Sequence, residues 1–219
     1  MIENFALLKR TKLFYGITEN EMGAMLECLS AVKHSYQKGD YVFRRGERIA
    51  SVAVLLEGRV HIQKVDYWGN QSILSEVSEG ELFGEVYACL GGEEILNNAV
   101  AVKPSVVLFL DINRILTMCP SGCRFHERLV RNLLAVLASK NRMLTQKLEH
   151  MSQRTTRERL LSYLSEQSLK KGSSSFDIPF SRQQLADFLS VDRSAMSNEL
   201  CKMRDEGILQ FDKNHFELK

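Results

Sequence analysis

Ser181-Arg-Gln-Gln-Leu-Ala-Asp-Phe-Leu-Ser-Val-Asp-Arg-Ser-Ala-Met-Ser-Asn-Glu-Leu200 reads as two short helices meeting at a tight turn. Ser181 with Gln184 three residues on is a capping-box pattern, in which the two side chains satisfy orphan N–H groups at a helix start. Leu185, Phe188 and Leu189 then fall on one face. Asp192 is the expected N-cap of the second helix, Met196, Leu200 and Met203 its buried stripe, and Gly207 its end. That spacing turns Arg193, Ser194, Ser197 and Asn198 outward on the first turns. A helix-turn-helix inserts those turns into the major groove, where Arg pairs bidentately with guanine and Asn with adenine. An ordinary helical pair with a solvated polar face is the competing reading, and the rest of the chain decides against it.

At 219 residues the chain suits two domains. No apolar run approaches the roughly 18 residues of a membrane span, and Met1-Ile-Glu-Asn-Phe lacks the basic-then-apolar layout of a signal peptide. A cytoplasmic protein with no membrane partner is therefore expected. Cys28, Cys89, Cys119, Cys123 and Cys201 are scattered and odd in number, the pattern of reduced thiols. A net charge of +2 hides an asymmetry, since the basic excess sits in residues 119–150. Composition by itself is only a weak nucleic-acid signature.

Near the N-terminus, Thr18 and Glu21 form a second capping box ahead of Met22, Met25, Leu26 and Leu29. From Tyr36 to Leu110 the texture changes to short β-prone runs, among them Ser51-Val-Ala-Val-Leu-Leu and Ser105-Val-Val-Leu-Phe-Leu. Gly39, Gly46, Gly58, Gly69 and Gly80 punctuate them, which predicts a small barrel or jelly roll. After Pro120 a long helix follows, with Val130, Leu134, Leu137, Asn141, Leu144, Leu148 and Met151 at alternating steps of four and three. That is the seam of a coiled coil, although a plain core face has the same spacing. The seam's length and its lone polar Asn141, a register-fixing residue, favour a partner helix and hence a dimer. Thr155-Thr-Arg-Glu-Arg opens a further helix, and Asp177-Ile-Pro-Phe is an expected short strand. Ile208 to Leu218 reads as a terminal hairpin, which makes the helix-turn-helix a winged one.

This order of parts resembles the cyclic-AMP receptor / fumarate-nitrate regulator (CRP/FNR) family of bacterial transcription factors. The resemblance covers essentially the whole chain. It is carried by Leu13-Phe-Tyr-Gly-Ile, Lys38-Gly-Asp-Tyr-Val-Phe-Arg-Arg-Gly-Glu, Leu55-Leu-Glu-Gly-Arg-Val, Phe83-Gly-Glu, Ser181-Arg-Gln-Gln-Leu-Ala and Asp192-Arg-Ser-Ala-Met-Ser. It implies an α+β chain: an N-terminal β-roll of the cyclic-nucleotide-binding jelly-roll type (1–118), a dimerisation helix (119–151) and a C-terminal winged helix-turn-helix (152–219). It also implies a homodimer on a palindromic operator in double-stranded DNA, a contact with RNA polymerase and no enzymatic activity.

Within that resemblance Arg193 stands where the family commonly has a base-reading Arg, and Ser197 where one branch has a base-contacting Ser. Ser194 replaces a frequent Glu and Asn198 a frequent second Arg, so the usual family half-sites do not carry over. Ser181 and Arg182 are expected to hold phosphates. Cyclic-nucleotide binders pair a Gly-Glu, here Gly84-Glu85, with a later Arg-Ser. Here that pair reads Asn97-Asn98, and an amide cannot neutralise phosphate. Cyclic AMP is not expected, so Gly84, Glu85, Asn97 and Asn98 are candidates for another small-molecule effector; Glu85 has an equally good structural reading. An iron–sulfur cluster lacks ligands, since Cys28 is the sole N-terminal cysteine and Cys119 with Cys123 does not complete a four-thiolate set. Haem through His34, His61, His126 or His150 has no better support, and no metal site is expected. Three alternatives stay open: a roll that senses nothing, a thiol switch between Cys119 and Cys123, and, remotely, a metal-dependent jelly-roll enzyme.

Overall fold

The computed structural model describes residues 5–117 and 124–219. Helices α1 (Phe5–Arg10) and α2 (Glu19–Cys28) precede strands β1 (Val32–Tyr36), β2 (Tyr41–Phe43), β3 (Ser51–Glu57), β4 (Val60–Val65), β5 (Gln71–Val77) and β6 (Leu82–Phe83). Helix α3 (Glu85–Leu90), strands β7 (Asn98–Ala101) and β8 (Ser105–Asp111), and helix α4 (Ile112–Leu116) follow. The strands form two antiparallel four-stranded sheets, ordered β1-β8-β3-β6 and β2-β7-β4-β5.

Strand β3 explains why the layers assemble. A pleated strand sends alternate side chains to opposite faces, and here both faces are apolar and buried. Ala53 and Leu55 join Val60, Val77, Phe83, Ala99 and Val107 in the core between the sheets, where Phe43 meets Phe83 and Phe109 edge to face. Val52, Val54 and Leu56 join a second core with Leu13, Phe14, Met22, Met25 and Leu29 from the N-terminal helical segment. The expected capping box at Thr18 is present, with reciprocal bonds to Glu21. Helices α1, α3 and α4 gave no sequence signal, each being six residues or fewer.

The hairpin joining β4 and β5 is tied by Asp66, whose carboxylate accepts from the N–H groups of Trp68 and Asn70 (both 2.9 Å). Those bonds, led by the one from the Asn70 amide, hold its carboxyl below the ordinary range. The tip presents Tyr67 and Trp68, 94% and 81% exposed.

Helix α5 (Arg124–Met151) runs through the division between the two compact units, 1–137 and 138–219. In the first unit Leu129, Leu133 and Val136 are buried in the helix-side core, with Val130 and Leu137 packed half-buried beside them. Arg128 donates to the Gly16 carbonyl, and the Asn132 amide donates to the carbonyls of Leu13 and Tyr15 (both 2.9 Å). The seam expected from sequence is thus divided. Val130 and Leu137 turn partly into the fold, whereas Leu134, Asn141, Leu144 and Leu148 are exposed. A strict seven-residue stripe drifts about 20° per heptad on a straight helix, so its members do not all share one environment. Cys119 and Cys123 lie outside the described residues.

The second unit contains α6 (Thr156–Lys171), β9 (Ser175–Asp177), α7 (Arg182–Leu189), α8 (Arg193–Asp205), β10 (Leu209–Asp212) and β11 (His215–Leu218). Its core joins Leu160 and Leu164 of α6, Leu185 and Leu189 of α7, Met196, Leu200 and Met203 of α8, and Phe216 of β11. Strand β9 lies two residues before the expected Asp177-Ile-Pro-Phe, pairing Ser175, Phe176 and Asp177 with β11. Pro179 has no N–H to give a ladder, which ends the strand before it. His150, 3% exposed, bridges Ser162 Oγ (2.8 Å) and Glu166 Oε2 (2.9 Å) on α6. Among the described residues no helix is long and apolar enough to cross a membrane.

The Glu57-Gly58-Arg59 turn and the β4–β5 tip provide a paired test of backbone against packing. Gly58 has φ +99°, and an added Cβ meets Ser105 Oγ at 2.2 Å and the Pro104 carbonyl at 2.6 Å; Gly69 has φ +86° with nothing within 4 Å. Both need the left-handed region, which costs a side chain about 1–2 kcal/mol, but only Gly58 adds a backbone collision. Gly58→Ala is expected to lower the roll's melting temperature clearly more than Gly69→Ala, as measured by scanning calorimetry.

Candidate nucleic-acid interface and effector site

The helix-turn-helix forms as its capping residues dictate. Ser181 Oγ accepts from the Gln184 N–H (3.3 Å), and the Gln184 side chain accepts from the Ser181 N–H (2.8 Å). Helix α7 ends at Ser190, held left-handed at φ 53°. Asp192 Oδ1 accepts the Ala195 N–H (2.8 Å) and starts α8. Helix α8 ends at Glu206, followed by Gly207 at φ 76°.

With Met196, Leu200 and Met203 fully buried, the opposite side of α8 faces solvent. Arg193, Ser194 and Asn198 are exposed, and Ser197 is half-buried. The Ser197 hydroxyl donates to the Arg193 carbonyl (2.9 Å). Its proton is thereby engaged, which leaves oxygen lone pairs to accept from a base amino group. Arg193 brings a planar five-donor fork and Asn198 a donor–acceptor pair. These four residues, singled out from the sequence, share the first turns of one helix.

Sequence reasoning missed two arginines of α6 that brace this helix pair. Arg157 Nε bonds Glu199 Oε1 (2.5 Å), and its Nη1 and Nη2 grip both Glu206 oxygens (2.8 and 2.7 Å). Arg159 Nη1 donates to the carbonyls of Leu189 and Ser190 (3.1 and 3.0 Å) at the end of α7. Both sit next to the capping-box residue Glu158, but nothing in an Arg-Glu-Arg triplet tells which carboxylates it will meet. Arg182, expected from the sequence to hold a phosphate, is half-buried. Its guanidinium lies over the rings of Phe211 (4.7 Å) and Phe216 (4.8 Å) rather than standing clear in solvent. Burial lowers its pKa from the ordinary guanidinium range. Ser181 remains exposed at the start of α7.

In the roll, Gly84-Glu85 and Asn97-Asn98 stand at the two ends of the connection from β6 to β7. Gly84 has φ +75°, and an added Cβ comes within 2.7 Å of the Phe43 ring, so this position requires glycine for reasons of the fold. Glu85 is buried, at 4% exposure, and raises the Cys89 thiol pKa, an effect second to that of burial. Asn97 and Asn98 are half-buried. Asn98 Oδ1 accepts the Arg45 N–H (2.8 Å), which leaves its NH2 as a donor. The connection is also clasped to the 44–48 loop through Gly46 N–H to Ile95 O, Ile95 N–H to Glu47 O (both 2.8 Å) and an Arg48–Glu94 ion pair (3.3 Å). Asn97 and Asn98 thus bring two neutral amides to this end of the connection, groups that hydrogen-bond without carrying charge.

Among the described residues no three His, Cys, Asp or Glu side chains converge in a metal-holding group. His34 is exposed beside Phe109, and His61 pairs with Glu76 (3.0 Å). His126 is buried against the Arg114 carbonyl (2.6 Å), and His150 is occupied as described above.

The Arg157 bridge makes a pH prediction. Its two-pronged grip is the main reason that the Glu206 carboxyl is held below its ordinary value of 4.5. A lowered carboxyl pKa contributes stability that is complete above the ordinary value and lost as pH falls through the depressed one. Acidification from about pH 5 to 3 is expected to lower the helix-turn-helix melting temperature more in the unaltered chain than in Arg157→Gln, by circular dichroism.

Comparison with known proteins agrees with this geometry. Residues 33–121 match the cyclic nucleotide-binding domain family, and residues 158–219 match the Crp-like helix-turn-helix domain family. The cyclic AMP receptor protein of Thermus thermophilus is 24% identical over 212 residues, which span 97% of this chain and 94% of that one. The crystal structure of the Thermus thermophilus catabolite activator protein aligns at 25% identity with a TM-score of 0.56, covering 95% and 94% of the two chains. CprK complexed with OCPA shares the fold at a TM-score of 0.63 and 18% identity, covering 89% of this chain and 90% of its own. The chain thus carries a cyclic nucleotide-binding domain followed by a Crp-like helix-turn-helix domain, and it is homologous to the DNA-binding transcription regulators of the CRP/FNR type.

Proposed function

We propose that this regulator acts as a homodimer, reads a palindromic operator through the first turns of α8, and is gated by a small molecule other than cyclic AMP held in the roll. The observation that carries the reading is the arrangement of α8, with one side locked into the core and Arg193, Ser194, Ser197 and Asn198 on the other. Arg193 reads guanine through O6 and N7, Asn198 reads adenine through N6 and N7, and Ser197 accepts from a base amino group. Ser181, at the exposed start of α7, donates to a backbone phosphate. The dimer is supported by Leu134, Leu144 and Leu148, which are 62%, 63% and 65% exposed at seam spacing with Asn141 among them. Leucines this exposed on a helix are a liability for a lone chain and the natural contact for a second copy.

The effector reading rests on Asn97 and Asn98, which favour a ligand recognised by neutral hydrogen bonds over one carrying a phosphate charge. Its binding shifts the population between two dimer arrangements that differ in affinity for the operator, and RNA polymerase is the partner that reads the outcome.

Selection of bound sites from random DNA tests the core of the reading, and enrichment of no palindrome refutes it. Arg193→Ala is expected to relax preference at one position of each half-site, by about 1–3 kcal/mol. Asn198→Arg is expected to move the preference at its own position from adenine toward guanine. Equal weakening on all sequences in competition binding contradicts both roles. Leu144→Glu is expected to yield monomers in sedimentation velocity at micromolar concentration while leaving the fold intact, because this side chain is not in the monomer core.

A further inference from the structure

Arg182 opens α7, where a cation opposes the positive end of the helix dipole. Something other than the helix must favour it there. Its guanidinium carbon lies 4.7 Å from the centroid of Phe211 on β10 and 4.8 Å from that of Phe216 on β11. Arg204, in the last turn of α8, stands 5.7 Å from the same Phe211 ring. The two rings are themselves 6.0 Å apart, inclined at 35°. Arg182 Nη2 is buried and has no hydrogen-bond partner among the described residues. A guanidinium reaching for DNA keeps its N–H groups in water. This one gives up hydration to lie on two ring faces, the arrangement in which a cation–π contact is strongest.

We infer that Arg182 is a positioning residue, which clamps the β10–β11 wing to the start of α7 and so fixes the angle between wing and α8. Beyond the shared core, in which Leu209 and Phe216 of the wing join Leu185 and Leu189 of α7, the polar ties of the wing lie at its tip and along β11. Asn214 holds the tip to the segment before α7 by donating to the Ile178 carbonyl (3.1 Å), and β9 pairs only along β11. On β10, Phe211 is the side chain that both arginines reach. The inference rests on the DNA-binding reading above, since a fixed wing angle matters only if wing and α8 engage one duplex together. It replaces the phosphate contact expected for Arg182 from the sequence.

The test uses the full-length chain with Arg182→Gln, Phe211→Leu and the double variant. In the DNA-free protein, amide hydrogen exchange across β10 and β11 is expected to speed up about tenfold in each single variant, the scale of one desolvated cation–π contact. The double variant is expected to go no further, and α6 is expected to be unchanged. Unaltered wing exchange in Arg182→Gln overturns the clamp, as does acceleration spread equally over α6. On the selected operator, the two single variants are expected to lose affinity together and to share one salt slope. A slope reduced by about 0.9 in Arg182→Gln alone identifies a phosphate contact and also overturns the clamp. The exchange arm needs no DNA. Failure of the unaltered chain to prefer any operator therefore overturns the regulator reading, while the clamp is decided by the amides.

Discussion

Met196, Leu200 and Met203 anchor α8 by one side, and what the other side can touch follows from that anchorage. A 13-residue helix is marginal in water, because forming its first turn is costly and isolated helices of this length gain little. Here it is held by burial of three large side chains, an aspartate cap and the Arg157 bridge to Glu199 and Glu206. None of these uses a residue of the outward first turns. The outward surface, with Ser194 and Asn198 on it, is therefore free to vary without loss of the helix. Holding residues and outward residues are separate sets, so the chemistry of the outward turns can change on one scaffold.

The same logic governs the roll. Strand β3 is buried on both faces, so the sheet it belongs to is fixed between the N-terminal helical segment and the second sheet. The connection carrying Gly84, Glu85, Asn97 and Asn98 is an elaboration between β6 and β7, clasped by backbone bonds to the 44–48 loop. Gly84 is demanded by the Phe43 ring and by its own backbone angle, so its presence says nothing about a ligand. Asn98 is partly structural as well. The informative residues are those whose chemistry the fold does not already account for, and on that criterion Asn97 and the remaining amide donors of Asn98 come first.

Much of the helix-turn-helix was legible because its signals are local. Capping boxes act over three residues, and an apolar stripe over four, so Ser181–Gln184, Asp192 and the Met196–Leu200–Met203 face could be read directly. What escaped depends on contacts between distant segments. Arg182 needed Phe211 and Phe216 to be brought back by the wing, some thirty residues later along the chain. Arg157 needed Glu199 and Glu206. The seam of α5 was half legible for a related reason: periodicity reports that a face is apolar, not which surface it meets, and Val130 and Leu137 turned out to lie against the first core. Strand β9 was misplaced by two residues because hydrophobicity continued through Ile178 and Pro179, whereas pairing could not.

The hairpin between β4 and β5 has an optical consequence. Trp68 is the sole tryptophan of the chain, and it stands on a tip stiffened by Asp66, well away from either core of the roll. Indole emission from this protein thus comes from one water-bathed ring beside Tyr67. It is nearly blind to melting of the interior. Whatever comes to rest on that hairpin will announce itself as a blue shift of this one ring, once excitation is set to the red of the six tyrosines.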